Sequence, residues 1–449
     1  MLIILSDLHF SDGTTSINVV PEVFTKILFP QINSKLSADA NKDINEIHLV
    51  LAGDTFDMVS TDKFLMIPYS KRPWNGNLDP DYAVNPDHDV VNEYVKVLED
   101  IIAKPGCKAF IEEFLKLNNI HKIPFKITYI AGNHDRTINF YAELRQIVRK
   151  LFPGIHLDFA NNLCSEKYST ICRHGNEWDK ICFGYEFAKK VLHKTYESRF
   201  HSEYYKVQSI GEIVTAELMG GIIYRLNYKH HWKGVHDDLI DSIKEINNVR
   251  PAPFALDWLI WSLSDKFSQK LKDDISNAIY DSLEAFLNTS LAKLWDRQSP
   301  DLIISGDIVD KLQLLKNFLK KDSFDSIIKA LGLIRFIDKL PEFKDESFLE
   351  GAIEDFKENP DIQFVVYGHT HYSKEAVITA EKDQPAKRYI NTGAYLPLIQ
   401  KARLNGYGIA KRMTITFIYD KSEDNRNNNK HKDTVSLEFW NGLKQKDYI

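Results

Sequence analysis

The sequence predicts an α/β protein carrying a mainly helical insertion. Three observations predict it. Short apolar runs rich in β-branched residues recur at 2–5, 47–51, 125–130 and 362–367, as in strands covered on both faces. Each run stops abruptly in a cluster of Gly, Asp, Asn or His. Helix-like periodicity fills the intervals, for example 90–118 and 141–151. Alternating strands and helices give folds that place ligands beyond the carboxyl ends of the strands, so these polar clusters point to one shared site.

Taken in order, residues 1–180 read as the first part of a core domain, with a further strand at 168–172. The opening run of five apolar residues meets Ser6-Asp7-Leu8-His9 at once, whereas a secretory leader needs a basic start and about seven to fifteen apolar residues. No later stretch approaches the roughly 18 apolar residues of a membrane helix, so a cytoplasmic protein is expected. Residues 181–345 are rich in aromatics and helical periodicity, as at 256–261 and 275–294, and read as the insertion. Residues 346–449 return to strands. The runs 413–419 and 434–440 alternate apolar and polar residues, and the polar stretch 421–430 reads as a hairpin loop.

Composition narrows the function. The 449 residues hold 57 Lys+Arg against 63 Asp+Glu, a net charge of −6, with 43% hydrophobic and 27% charged residues. This is ordinary globular composition, with no general attraction to nucleic acid or anionic membrane. Four scattered cysteines without a CxxC exclude a disulfide framework and the common zinc-finger and thioredoxin motifs.

The strand ends offer Asp7 and His9, Asp54, Asn133 and His134, Arg173-His174-Gly175-Asn176, then His369 and His371. Carboxylate, imidazole and amide oxygen suit divalent Mn, Fe or Zn. Asp-x-His and His-x-His put both side chains of a pair on one side of an extended segment, so each pair can chelate. With His134 set aside, the remaining seven donors exceed one tetrahedral ion. They suit two ions sharing a carboxylate, about 3.5–4 Å apart, a known device for phosphoryl displacement.

In order, Asp7-x-His9, Gly53-Asp54-x-x-Asp57, Gly132-Asn133-His134-Asp135, His174 and Gly368-His369-x-His371 resemble the five motifs of the calcineurin-like metallophosphoesterase superfamily. The resemblance spans residues 7 to 371. It implies a four-layer α/β/β/α sandwich of two mixed sheets flanked by helices, with two divalent ions, Mn foremost and Fe, Zn or Ni as alternatives. One ion would be held by Asp7, His9, Asp54 and His371, the other by Asp54, Asn133, His174 and His369, with Asp54 bridging. Hydroxide between the ions is the implied nucleophile. His134 would face the scissile phosphate, Asp135 would orient its imidazole, and Asp57 is assigned to a loop-ordering hydrogen bond. The implied substrate is a phosphorylated small molecule or a lipid-like phosphoester or pyrophosphate, since the long insertion is similar in placement to the lid of bacterial lipid-A-pathway pyrophosphatases.

Other features take structural readings. Asp307, in the Gly-Asp-x-x-Asp sequence at 306–310, is expected to cap a helix beginning near Ile308 after a strand-like run at 302–304. His230, His231 and His236 are expected to be exposed or hydrogen-bonded, and Trp258 and Trp261 to pack in a core or between domains. Arg136 reads as an exposed helix-start residue that can reach a phosphate, and Arg173 as pointing away from the metals. The loop at 71–76 is a substrate-contact region in this reading, and Asn391-Thr392-Gly393 a structural backing. Two alternatives stand beside the hydrolase: a non-catalytic interaction scaffold, disfavoured by the complete ligand set, and a nuclease, disfavoured by the absence of a basic stripe.

Overall fold

The structure is a computed structural model. It describes all residues except 39, 40, 42, 76–87, 264–266, 299–306, 322, 335–345, 383, 403, 424–434 and 445–449. The strand-like run 302–304 and most of the loop 421–430 therefore lie outside the described residues.

The chain forms two mixed sheets and many helices. Strands β1 (Leu2–Leu5), β2 (Ile47–Ala52), β3 (Phe125–Ile130) and β4 (His156–Ala160) are followed by β5 (Asn162–Ser165), β6 (Thr170–Arg173) and the two-residue β7 (Val249–Arg250). Then come β8 (Phe364–Tyr367), β9 (Ser373–Thr379), β10 (Lys387–Thr392), β11 (Leu398–Lys401), β12 (Tyr407–Tyr419) and β13 (Ser436–Lys444). The larger sheet runs β4-β3-β2-β1-β12-β11-β7, with β13 also on β12; the smaller runs β5-β6-β8-β10-β9. β1 to β4 are mutually parallel, while β12 returns antiparallel to β1 with Ile3 opposite Phe417. In the smaller sheet β6, β8 and β10 are parallel.

Side-chain alternation decides the packing. Leu2, Ile4, Val50, Ala52 and Ile130 of the larger sheet share one apolar cluster with Cys172, Phe364, Val366 and Ile390 of the smaller. The alternate residues Ile3, Leu5, Leu49, Leu51 and Ile127 face helices, meeting Val97, Leu98, Phe110 and Phe114. On the far side of the smaller sheet, Ile171, Val365, Tyr367 and Tyr389 meet Phe348, Ala352 and Phe356 of the helix Glu346–Glu358. Because both faces of the central strands β1, β2, β3, β6 and β8 are covered, these read as largely continuous apolar runs.

The helical periodicity at 90–118 resolves into two helices, His88–Ile102 and Pro105–His121. Pro105 starts the second, since its ring cannot continue a preceding helix but suits a first turn. Between 181 and 345 the described elements are helical except for β7, which pairs in parallel with β11, Val249 opposite Ile399 and Arg250 opposite Gln400. Leu218, Ile222, Leu256, Leu259, Ile279 and Leu283 form a separate apolar cluster that also takes in Ile399 of β11. Residues 181–216 pack instead into the main helix-facing cluster. Among the described residues no helix is long and apolar enough to cross a membrane.

Candidate metal centre

Seven of the nine sequence-predicted site residues lie at or just past the carboxyl ends of parallel strands β1, β2, β3 and β6; His369 and His371 follow β8. The pairs do not chelate from an extended segment, as alternation predicted. Asp7 and His9 have φ of 51° and 46°, Asp54 49°, and His369 and His371 68° and 62°, all in the left-handed region. Such backbone costs on the order of 1–3 kcal/mol at a non-glycine residue and persists where its surroundings enforce it. Here Asp7 N–H donates to Gly53 O at 3.0 Å and His9 N–H to Asp54 O at 2.9 Å, so the β1 turn is stitched to the β2 turn. His369 N–H donates to Asp7 Oδ2 at 3.0 Å, tying in the turn after β8.

Four groups able to hold a cation occur among the described residues: buried Asp7 with His9 and His371; Asp54 with His174 and the half-buried His369; His9 with Asp57 and His134; and Asp179 with Cys182 and His369. Within the first, His9 Nε2 is 3.7 Å from Asp7 Oδ1 and 3.1 Å from His371 Nε2. Within the second, His174 Nε2 is 3.1 Å from Asp54 Oδ2. Asp54 Oδ2 is also 3.7 Å from His9 Nε2, so one carboxylate touches both of these groups. His174 Nδ1 donates to Ala52 O at 2.9 Å, which turns Nε2 inward. Asn133 Oδ1 is buried without a hydrogen-bond partner, as is His371 Nδ1. A buried orphan amide oxygen is costly unless something accepts its lone pairs. The oxygen and imidazole donors, the left-handed turns and that orphan oxygen fit divalent cations.

Electrostatics agree. Burial opposes protonation of His9, but Asp57, Asp7 and Asp54 outweigh it and raise its pKa to about 10. His174 reaches about 10 because Asp54 overrides the same burial penalty. Asp54 stays ionised despite burial, held well below the usual carboxylate range by His174 and His134. The excess of negative charge thus attracts protons here, as it would a cation.

One carboxylate departs from the sequence expectation and another does more than expected. Asp135 does not touch the His134 ring. It accepts hydrogen bonds from the backbone N–H groups of Gly132 (2.6 Å), Thr55 (2.9 Å), Asp54 (3.3 Å) and Phe56 (3.3 Å), and from the Tyr129 hydroxyl. The chain turns into a 3₁₀ segment at Arg136–Asn139 and aims Asp135 back at β2. Burial and the nearby Asp54 charge push its pKa up to about 6. Asp57 instead orients His134, Oδ1 lying 2.8 Å from Nδ1. It also accepts Ser60 N–H at 3.0 Å, the loop-ordering bond the sequence suggested.

Other expectations sort plainly. Asp307 caps the helix Ile308–Phe318, accepting from Val309 and Asp310 N–H. Arg173 points away, pairing with Asp355 at 3.2 Å. Asn391 donates to Gly368 O at 2.6 Å and backs the turn after β8. His230 pairs with Asp274 at 3.0 Å and His231 is exposed. Trp258 is buried, whereas Trp261 is 52% exposed against Tyr407. Arg136 is neither exposed nor free for a phosphate, because Glu212 takes its Nε at 3.0 Å and Nη2 at 3.1 Å. The 71–76 loop is structural where described. Arg72 Nη1 and Trp74 Nε1 both donate to buried Glu217, at 2.6 and 2.7 Å, and Gly76 lies outside the described residues.

Sequence reasoning missed Asp179, whose Oδ2 is 3.0 Å from His369 Nε2, and Arg250, whose Nη2 is 3.0 Å from His371 Nε2. Neither sits in a motif, and Arg250 arrives from within the helical segment. His9, Asp54, Asn133, His134, His369 and His371 face a cavity of about 250 Å³ whose upper wall is apolar. Compared with protein-family models and with curated proteins, the chain matches none.

Proposed function

We propose that the protein is a dinuclear-metal-dependent phosphohydrolase of the calcineurin-like kind, its sheets and helices being the four-layer sandwich of that superfamily. The observation that carries this reading is the clustering of Asp7, His9 and His371 and of Asp54, His174 and His369, with Asp54 near both groups, where His9, Asp54, Asn133, His369 and His371 line a cavity beside a histidine oriented by a carboxylate. Asp7, His9, Asp54 and His371 would hold one cation, and Asp54, Asn133, His174 and His369 the second. Mn²⁺ is the first candidate among Mn, Fe, Zn and Ni for such a donor set. Such a pair of cations would supply charge neutralisation for phosphoryl oxygens and a water of about neutral pKa.

The chain's own residues do the rest. Asp57 accepts the His134 Nδ1 proton and leaves Nε2 to exchange a proton with a leaving-group oxygen at the cavity. Asp135 fixes the Gly132 and Asp54 turns, holding Asn133 and Asp54 in place. The reaction is cleavage of a phosphoester or pyrophosphate bond. Purified protein with Mn²⁺ is expected to hydrolyse bis-p-nitrophenyl phosphate or the monoester and to lose turnover in Asp54→Asn. Absence of turnover on every phosphoester tried, with metal bound, overturns the reading.

A further inference from the structure

We infer that the substrate joins its phosphoryl group to a compact apolar body, of one to two aromatic rings in size, seated above the metal centre with Arg250 gripping a phosphoryl oxygen. This rests on the phosphohydrolase reading and narrows its substrate.

The cavity has two chemically distinct halves. Its floor is the histidine and carboxylate centre. Its wall is built by Val214, Leu218 and Met219, Leu256, and Ile308 and Leu312, from three stretches of the helical segment. Two asparagine amides among the lining residues are already committed, Asn247 Nδ2 to Thr15 O at 3.0 Å and Asn248 Nδ2 to Glu245 Oε2 at 2.7 Å. Ser16, Thr215 and Lys311 also line the cavity, so some polar partners remain, but against the aliphatic wall a sugar or nucleobase would forfeit water hydrogen bonds that an aryl or short alkyl group never had. Size sets how much of the ligand is enclosed: an apolar cavity of about 150 Å³ accepts benzene, so about 250 Å³ encloses a body of one to two rings, and any longer chain would extend through the open mouth into solvent.

Arg250 stands at the junction. Its Nη1 is anchored on the carbonyls of Asn247 at 2.7 Å and Val249 at 3.0 Å, while Nη2 points to His371 Nε2 at 3.0 Å. Among the described residues no carboxylate forms an ion pair with it. Imidazole Nε2 offers a single lone pair, so a cation and Arg250 cannot both use it. Once a cation binds, the guanidinium needs another acceptor, and the fork of a guanidinium matches phosphoryl oxygens. Lys311 adds a second cation to the lining.

The test is calorimetric titration of the full Mn²⁺-loaded chain with methylphosphonate, phenylphosphonate and dodecylphosphonate, beside turnover of bis-p-nitrophenyl phosphate. Phenylphosphonate is expected to bind at least tenfold tighter than methylphosphonate, and dodecylphosphonate no tighter than phenyl. Leu312→Trp, which fills the cavity, is expected to weaken phenylphosphonate about tenfold and leave methylphosphonate unchanged. Arg250→Gln is expected to weaken both about tenfold, with Arg250→Lys recovering part. Equal binding of methyl and phenyl, a large preference for dodecyl, or equal loss of both in Leu312→Trp overturns the inference. Turnover without size-selective binding overturns it while leaving the hydrolase reading intact. Selective phenylphosphonate binding without any turnover supports the ligand class and overturns the hydrolase reading instead.

Discussion

Nδ1 of His134 lies 2.8 Å from Oδ1 of Asp57, a residue 77 positions earlier, and this pair joins the turn after β3 to the turn after β2. With the Nδ1 proton held by a carboxylate, the imidazole has one tautomer and one orientation. Asp57→Asn keeps the shape and removes the charge. Its kcat on a p-nitrophenyl ester is expected to drop about tenfold to a hundredfold, the usual cost of losing an orienting carboxylate. Bound manganese, counted by elemental analysis, is expected to fall less than kcat, since Asp57 Oδ2 also lies 3.6 Å from Nδ1 of His9. An unchanged kcat would show that His134 needs no such partner.

Asp135 is expected to behave as a structural residue. Asp135→Ala strands buried N–H donors of four residues, each worth about 1–3 kcal/mol when left unpaired. A loss of at least about 3 kcal/mol in urea unfolding is the expected outcome. Retained stability with selective loss of kcat would instead restore the orienting role that its place in the sequence suggested.

Cation binding is expected to be visible without any substrate. A ligand at a hundred times its Kd stabilises the folded state by about 2.7 kcal/mol. Adding Mn²⁺ should raise the thermal midpoint and a chelator should reverse it. In Asp54→Asn the gain should shrink or vanish, because that carboxylate touches both clusters. Identical midpoints with and without metal would count against the centre.

Gly132 has a steric reason to be glycine. A Cβ there would sit 2.2 Å from Asp54 Oδ1 and 2.7 Å from Asp54 N. Gly132→Ala must displace the shared carboxylate, and metal affinity by calorimetry is expected to fall tenfold or more. Wild-type affinity in that variant would mean that Asp54 is not a ligand.

His48, away from the site, gives a pH signature. It is buried between β2 and β3, beside Thr128 at 2.8 Å. Burial, then Lys126 and the N-terminal ammonium, lower its pKa from 6.5 to about 4, against the smaller pulls of Glu46 and Asp158. The unfolded chain therefore takes up this proton at higher pH than the folded one. Stability is lost as pH falls from about 6.5 towards 4. His48→Gln is expected to flatten that part of the stability curve in urea melts at stepped pH, and an unchanged slope would assign the acid sensitivity to other groups.

The central strands β1, β2, β3, β6 and β8 and the donors after them were legible because a strand buried on both faces leaves a continuous apolar run, and each donor follows such a run within a few residues. By contrast β4, β5, β7, β9 and β11, short or at sheet edges, left no such run. What was not legible depends on long-range placement. Adjacency suggested that Asp135 serves His134, but the 3₁₀ turn at Arg136 sends neighbouring side chains in different directions. Arg72 and Trp74 looked like part of a substrate-contact loop because Glu217, the partner that buries them, is far along the chain. Arg250 carried no local signal at all: only the pairing of β7 with β11 brings it to His371.

That short β7 pairing has a mechanical consequence. The backbone that carries Arg250 is bonded into the edge of the larger sheet, so the helical roof is riveted to the floor at the very residue that reaches the histidines. Swinging it aside as one piece would tear the Val249–Ile399 and Arg250–Gln400 register and withdraw the guanidinium with it. Amides along this seam should then exchange with solvent about as slowly as those of the sheet that anchors them.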